Sequence, residues 1–379
     1  MKNTIINLVF SILTFAVLLT GIEIVLRCTH LFNARMAVAM PDPLLGWRFI
    51  PNGKYWNNSE NDHPVSGTYN RFGWRDREWS VEKPKDTYRI AVLGDSFVEA
   101  AQVEMEKNFL RLTEDILNKK LKNKVELMNF GRSGATQSEE YIVLQKDVPQ
   151  FHPDMVILFF APVNDIEDIS IETAPDKLRP FYNLMNGHLI LNTDFVHTRD
   201  YKIKSFINWF KSHSILISFL CERYNHYAQV KNMIKARQNS PGKLEPYFSL
   251  CTENPDPRYV ENYRLNKELI KAIAAYCKKN EMKFMLAVID INSYLFENER
   301  KYKSIDSSFN SFFFEDDLKH FSESMKVDYL GLQRIFQKSY ESNHVPLHWG
   351  HWNYEGHKVV SDALVNKLKA LHEEYWPDK

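Results

Sequence analysis

Two kinds of apolar run organise this chain. One is long: no charged residue occurs from Asn3 to Ile22, and Leu8 to Ile22 is nearly continuous Leu, Ile, Val, Phe and Ala. Extended to Leu26, it approaches the ~20 residues that cross the hydrocarbon of a bilayer. The others are short and end in turn residues: Tyr88–Gly94, Val125–Gly131, Asp154–Ala161, Lys283–Asp290 and Val327–Leu332. Their length and composition predict buried strands. Between them the apolar positions recur at helical spacing. Phe109, Leu110, Leu112, Ile116, Leu117 and Leu121 predict a helix within 104–121, and further helices are expected at 137–148, at 256–279 behind Asp256-Pro257, and at 353–372. Strands this apolar, alternating with helices, predict an α/β domain whose parallel sheet is covered on both faces.

The alternation lapses twice. Residues 28–85 are rich in Pro, Gly, Asn and Trp and read as an irregular arm packing its tryptophans on the domain; Gly46-Trp47-Arg48 and Gly73-Trp74-Arg75 are too short to make a repeat. Residues 166–256 hold short mixed segments and an aromatic stretch from Phe206 to Tyr227, read as an insertion or cap over the sheet edge. The expected organisation is a signal anchor at 1–27, the arm at 28–85 and one domain at 86–375 that carries the insertion. A cleaved signal peptide is the competing reading of the N-terminus. Its small-x-small site, Ala37-Val38-Ala39, falls more than ten residues late, and Arg27 intervenes. Lys2 favours a cytoplasmic N-terminus, while Arg27 and Arg35 weigh the other way.

Composition excludes more than it assigns. Lys and Arg balance Asp and Glu at 48 each, so no net charge recruits nucleic acid. Cys28, Cys221, Cys251 and Cys277 form no CxxC and no zinc-spaced cluster, so no structural metal is expected. A Cys221–Cys251 bridge is open to an oxidising compartment; free buried thiols are the reading adopted.

Candidate chemistry gathers at strand ends, where open α/β sheets bind ligands. The first strand ends in Gly94-Asp95-Ser96-Phe97, the second in Gly131-Arg-Ser-Gly134, and the third in Pro162-Val163-Asn164-Asp165; His348-Trp-Gly-His351-Trp-Asn353 precedes the last helix. Acyl transfer needs such a set. A serine hydroxyl is a weak nucleophile until an imidazole takes its proton. The tetrahedral oxyanion needs donors placed beforehand, from glycine turns and amide side chains. Singly, each block also fits ordinary turn and cap chemistry.

Together the blocks Gly94-Asp-Ser-Phe97, Asn129-Phe-Gly-Arg-Ser-Gly134, Asn164-Asp165 and His351-Trp-Asn-Tyr-Glu-Gly356-His resemble the SGNH (GDSL-like) hydrolases, over about residues 88–165 and 283–372. The resemblance implies a three-layer α/β/α, flavodoxin-like fold with a five-stranded parallel sheet. It also implies Ser96 as nucleophile, His351 as base, and an oxyanion hole built from Ser96 N–H, Gly134 N–H and the Asn164 side chain. No metal or organic cofactor is implied. Two positions depart from the family. Where an aspartate usually stands three residues before the histidine, this chain has His348, and Pro162-Val163 replaces a common glycine before Asn164. His348 can hold the ring only as a neutral partner. Asp165 and Glu355 are the nearest motif carboxylates in sequence.

Three functions fit. One is a membrane-anchored, extracytoplasmic serine esterase acting on O-acyl, chiefly O-acetyl, groups of a small molecule or a cell-surface or secreted glycan. Another is an O-acyltransferase with the same Ser/His machinery, fed by a membrane acyl-donor protein. The third is a non-catalytic glycan-binding or assembly protein on the same scaffold, favoured only by the missing aspartate.

Overall fold

The structure, a computed structural model, describes residues 2–29, 38–57, 60, 63–239, 243–291 and 294–375. Ala37 of the candidate cleavage site and Arg35 lie outside them. The apolar N-terminal run forms one helix, α1 (Lys2–Thr29), long and apolar enough to cross a membrane, and its most apolar stretch is uncovered by the rest of the chain. At 1.5 Å per residue its 28 residues measure about 42 Å, more than the ~30 Å of a bilayer core.

The arm carries two antiparallel hairpins, β1 (Ala39–Asp42) with β2 (Gly46–Phe49) and β3 (Lys54–Asn57) with β4 (Val65–Thr68). The first turn is shaped by Asp42, whose Oδ1 accepts from the N–H groups of Leu44 and Leu45, both at 2.8 Å. Beyond the hairpins the arm is fastened by buried polar contacts. Arg75 Nη1 donates to Glu99 O at 3.0 Å, and Asp76 Oδ2 accepts from Asn129 N at 2.9 Å and from Trp79 Nε1 at 3.0 Å. Trp74 and Trp79 are buried in the main core.

The sheet follows the apolar runs. β5 (Thr87–Gly94) leads into the short α2 (Ser96–Glu99), then α3 (Phe109–Lys120), β6 (Lys124–Gly131), α4 (Gln137–Lys146), β7 (Met155–Phe160) and α5 (Asn164–Glu167). The insertion contributes a hairpin, β8 (Phe181–Met185) and β9 (His188–Asn192), and the helices α6 (Arg199–Lys211) and α7 (Ile215–Asn239). α8 (Pro257–Lys279), β10 (Lys283–Val288), α9 (Tyr294–Ile305), α10 (Phe313–Met325), β11 (Asp328–Gly331), α11 (Gln333–Asn343) and α12 (Tyr354–Tyr375) complete the chain.

Five strands make one parallel sheet in the order β11-β10-β7-β5-β6. Counted by appearance this is the flavodoxin-like 2-1-3-4-5 order, with its topological switch point between β5 and β7. Every residue of β5 and β7 is buried, as two-sided coverage requires. Ala91, Leu93, Met128, Phe130, Leu158 and Leu286 face one core layer, shared with α4, α8 and α10. Ile90, Val92, Leu127, Ile157, Phe159 and Met285 face the other, shared with α3, α11 and α12. The fold is therefore the three-layer α/β/α arrangement expected.

The helix expected within 104–121 starts only at Phe109, because Asn108 caps it by accepting from Arg111 N at 2.9 Å; Met105–Lys107 is a 3₁₀ turn. The four cysteines are free, with Cys251 and Cys277 buried, so Cys221 and Cys251 are not bridged.

At the end of β6, Gly131 lets α2 approach: a Cβ there would stand 2.3 Å from Glu99 N and 2.6 Å from the Val98 carbonyl carbon. Gly131→Ala is expected to lose about 1–3 kcal/mol of stability in urea unfolding, because backbone rather than a flexible side chain must move.

Candidate active site

Ser96, the expected nucleophile, is positioned by the end of β5. Asp95 caps α2, its Oδ1 accepting from Phe97 N at 2.9 Å, and this fixes Ser96 as the first helical residue beside the switch point. Ser96 Oγ lies 2.7 Å from His351 Nε2. The imidazole packs on the Phe97 ring, with centroids 4.8 Å apart.

On its other side, His351 Nδ1 stands 2.6 Å from Glu60 Oε1. Glu60 Oε2 also accepts from the backbone N–H of His351 at 2.8 Å and of Gly350 at 3.2 Å. One carboxylate thus holds both the ring and the loop that carries it. With Nδ1–H donating to Glu60, Nε2 presents its lone pair to the Ser96 hydroxyl. Burial acts to lower the His351 pKa, but the Glu60 hydrogen bond and charge outweigh it and raise it above the ordinary value. Burial likewise opposes ionisation of Glu60, and the donors from His351 and Gly350 hold its carboxyl below the usual range.

His348 pairs with a different carboxylate. It is buried, with Nε2 3.0 Å from Asp290 Oδ2, and the other Asp290 oxygen accepts from Trp352 Nε1 at 2.9 Å. Bridged to Trp352, His348 closes the loop that presents His351. His348 is thus structural here, and the carboxylate against the ring comes from the arm. Asp165 accepts from Gln137 Nε2 and Ala161 N, each at 2.6 Å, while Glu355 pairs with Lys358 at 2.6 Å. His357 accepts from Phe109 N at 3.2 Å, and burial pushes its pKa down to about 3, leaving it neutral. Glu60 gave no signal in the sequence, since an isolated glutamate in an irregular arm matches no motif. Asp290 was visible only as the end of a strand.

Asn164 opens α5 at the end of β7, and its Nδ2 donates to Asp95 Oδ2 at 2.7 Å. Gly134 has φ +70°, a left-handed conformation that favours glycine, and a Cβ there would meet nothing within 4 Å. Its turn is fixed from both sides. Ser133 N donates to the buried Glu99 carboxylate at 2.7 Å, and Gly134 O accepts from Arg179 Nη2 at 2.7 Å. Among the described residues neither Ser96 N–H nor Gly134 N–H has a backbone acceptor. Beside them a cavity of about 370 Å³ is lined by Phe97, Asn164, Tyr247, Phe248, Tyr302 and His351, among others. A second, of about 280 Å³, borders Glu99 and Ser133 under Tyr55, Trp56 and Tyr69. Among the described residues, no group of three or more His, Cys, Asp or Glu side chains is disposed to hold a metal ion.

No family model matches the chain, and no curated protein matches it. Among solved structures it is similar to an acetyl xylan esterase at 14% identity and TM-score 0.40, covering 73% of this chain and 98% of that one. It is also similar to an acetylxylan esterase from Geobacillus stearothermophilus at 11% identity and TM-score 0.41, covering 74% and 94%. A third is an α/β-hydrolase enzyme from the metagenome of Lake Arreo, Spain, at 14% identity and TM-score 0.41, covering 75% and 96%. These likenesses are remote; the chemistry of the site is carried by its own distances.

Because His351 must be neutral to accept the serine proton, acylation of Ser96 should fall as pH drops through a pKa above 6.5. Glu60→Gln removes the charge that raises that pKa. The acid limb of kcat/KM on p-nitrophenyl acetate is expected to shift to lower pH, with the plateau reduced by about 10²–10⁴-fold.

Proposed function

We propose that this chain is a serine esterase of the SGNH type that cleaves O-acyl, chiefly O-acetyl, esters of a glycan outside the membrane to which α1 anchors it. The observation that carries this reading is the hydrogen-bonded chain Ser96–His351–Glu60 at the switch point of the sheet. His351 takes the Oγ proton as Oγ attacks the acyl carbonyl. The tetrahedral oxyanion forms against Ser96 N–H, Gly134 N–H and the second N–H of Asn164 Nδ2, whose first is engaged by Asp95. Collapse expels the alcohol, which takes the proton from His351 and leaves an acyl-serine. Water, deprotonated in turn by His351, attacks the acyl carbon, and the carboxylate leaves as Oγ recovers its proton. Glu60 stabilises the imidazolium in both halves. The aromatic walls of the larger cavity, Tyr247, Phe248 and Tyr302, suit a sugar face or an acyl chain.

The second cavity favours a transferase variant of the same mechanism. It borders Ser133, next to the glycine turn, and its tyrosines and Trp56 suit a sugar face; in this variant a sugar hydroxyl replaces water in the second half. A membrane acyl-donor protein would then load Ser96. The non-catalytic alternative rested on the missing aspartate, and Glu60 removes that ground.

Ser96→Ala is expected to abolish hydrolysis of p-nitrophenyl acetate and of acetylated oligosaccharides while the fold, read by circular dichroism, is kept. Undiminished turnover in the variant would refute the proposal. With an unacetylated oligosaccharide added to the parent, acetyl-sugar product exceeding free acetate identifies the transferase.

A further inference from the structure

The insertion leaves two helices with apolar stripes toward solvent. Ile203, Phe206 and Ile207 on α6 recur at i, i+3 and i+4, and Leu220, Tyr224 and Tyr227 on α7 at i, i+4 and i+7, so each set shares one helix face. The aromatics are far out of the protein: Phe206 is 66% exposed, Trp209 57%, Tyr224 71% and Tyr227 65%. Scattered surface apolar residues are ordinary, but aligned aromatic stripes mark a contact surface.

Charge and position identify the contact. Residues 199–239 carry eight Lys or Arg against two Asp or Glu, in a chain whose 48 basic and 48 acidic residues balance overall. Lys204 pairs with Asp176 at 3.0 Å, so not all of that charge is available. α7 and the loop that joins it to α6 meet the end of α1. Glu23 of α1 caps α7, accepting from Ser214 Oγ at 2.9 Å, Ile215 N at 3.0 Å and Leu216 N at 2.9 Å. Arg27 Nη2 donates to His213 O at 2.8 Å, and Trp209 stacks on the His213 ring at 4.6 Å. Leu26 packs with Ile215, Leu216 and Phe219. Trp209 therefore sits beside the last turns of a helix longer than the hydrocarbon core, at the depth where Trp and Tyr are enriched.

We propose that α6 and α7 form an interfacial foot that lies on the headgroup layer of the bilayer entered by α1 and binds anionic lipid. Aromatic and aliphatic side chains would enter the acyl boundary while Lys and Arg meet lipid phosphates, the pattern of an in-plane amphipathic helix. This rests on α1 being a membrane helix, and the test separates the two.

The full chain is reconstituted into phosphatidylcholine vesicles with and without phosphatidylglycerol, using lipids brominated near the headgroup end of the acyl chain. The emission of the parent minus that of Trp209→Phe isolates one of the eight tryptophans. The expected result is a blue-shifted Trp209 component that brominated lipid quenches, more strongly with phosphatidylglycerol. Phe206→Glu combined with Tyr224→Glu should float with vesicles as the parent does and lose that quenching. A chain that floats with Trp209 unquenched in both lipids overturns the foot and leaves α1 intact, and so does burial of Trp209 only after membrane proteins are added. A chain that fails to float overturns both.

Discussion

A carboxylate and an imidazole 291 residues apart in sequence lie 2.6 Å apart in space, and the geometry around Ser96 depends on that pair. Without the carboxylate, the half-buried imidazole would resist protonation and lose the acceptor that fixes Nδ1. With it, the ring is held with Nε2 toward Oγ, and the charge that develops as the serine proton moves is met by one already in place. Glu60 also takes the N–H groups of Gly350 and His351, so the base and its loop are set by one group.

That places an unusual demand on the arm. A carboxylate in the same loop as its histidine is positioned by local geometry, whereas Glu60 must be positioned by tertiary structure. The arm itself is fastened to the domain by the buried network around Arg75, Asp76 and Asn129, with Arg77 adding an ion pair to Glu114 at 2.6 Å. Asn129 is the junction: its backbone N–H binds Asp76, and its Nδ2 donates to Arg75 O at 3.2 Å and Val98 O at 2.9 Å. The strand that leads to the glycine turn is thereby tied to the arm and to α2 together. Burying these groups is tolerable to the extent that the network pairs them, and breaking a pair would leave desolvated charge behind.

What was legible in the sequence follows from how local each feature is. The strands of the sheet show in their own apolar runs, and Ser96, Gly134, Asn164 and His351 show because each sits next to a strand end or a helix start. His348 was legible as a departure but not as a replacement: its partner Asp290 lies 58 positions away, and no periodicity connects them. Glu60 was invisible for the same reason, in a segment whose fold is decided by buried polar contacts rather than by hydrophobic spacing. The helix start at Phe109 was blurred because apolar spacing does not see the Asn108 cap.

The insertion links the α1 end of the molecule to its candidate site. Glu23 caps α7 within the insertion, and the same insertion then runs through the 3₁₀ segment Pro246–Cys251, whose Tyr247 and Phe248 wall the larger cavity beside His351. Phe248 packs at 5.4 Å on Tyr302, across the cavity wall supplied by α9. The cap over the site is therefore carried on the segment that grips α1. A domain tethered by a flexible linker would sample many orientations; this one has hydrogen-bonding, capping and apolar contacts at the tether's end. Such contacts hold the switch-point edge of the sheet in a set orientation to α1, which suits a substrate presented from one side of a surface rather than one diffusing freely.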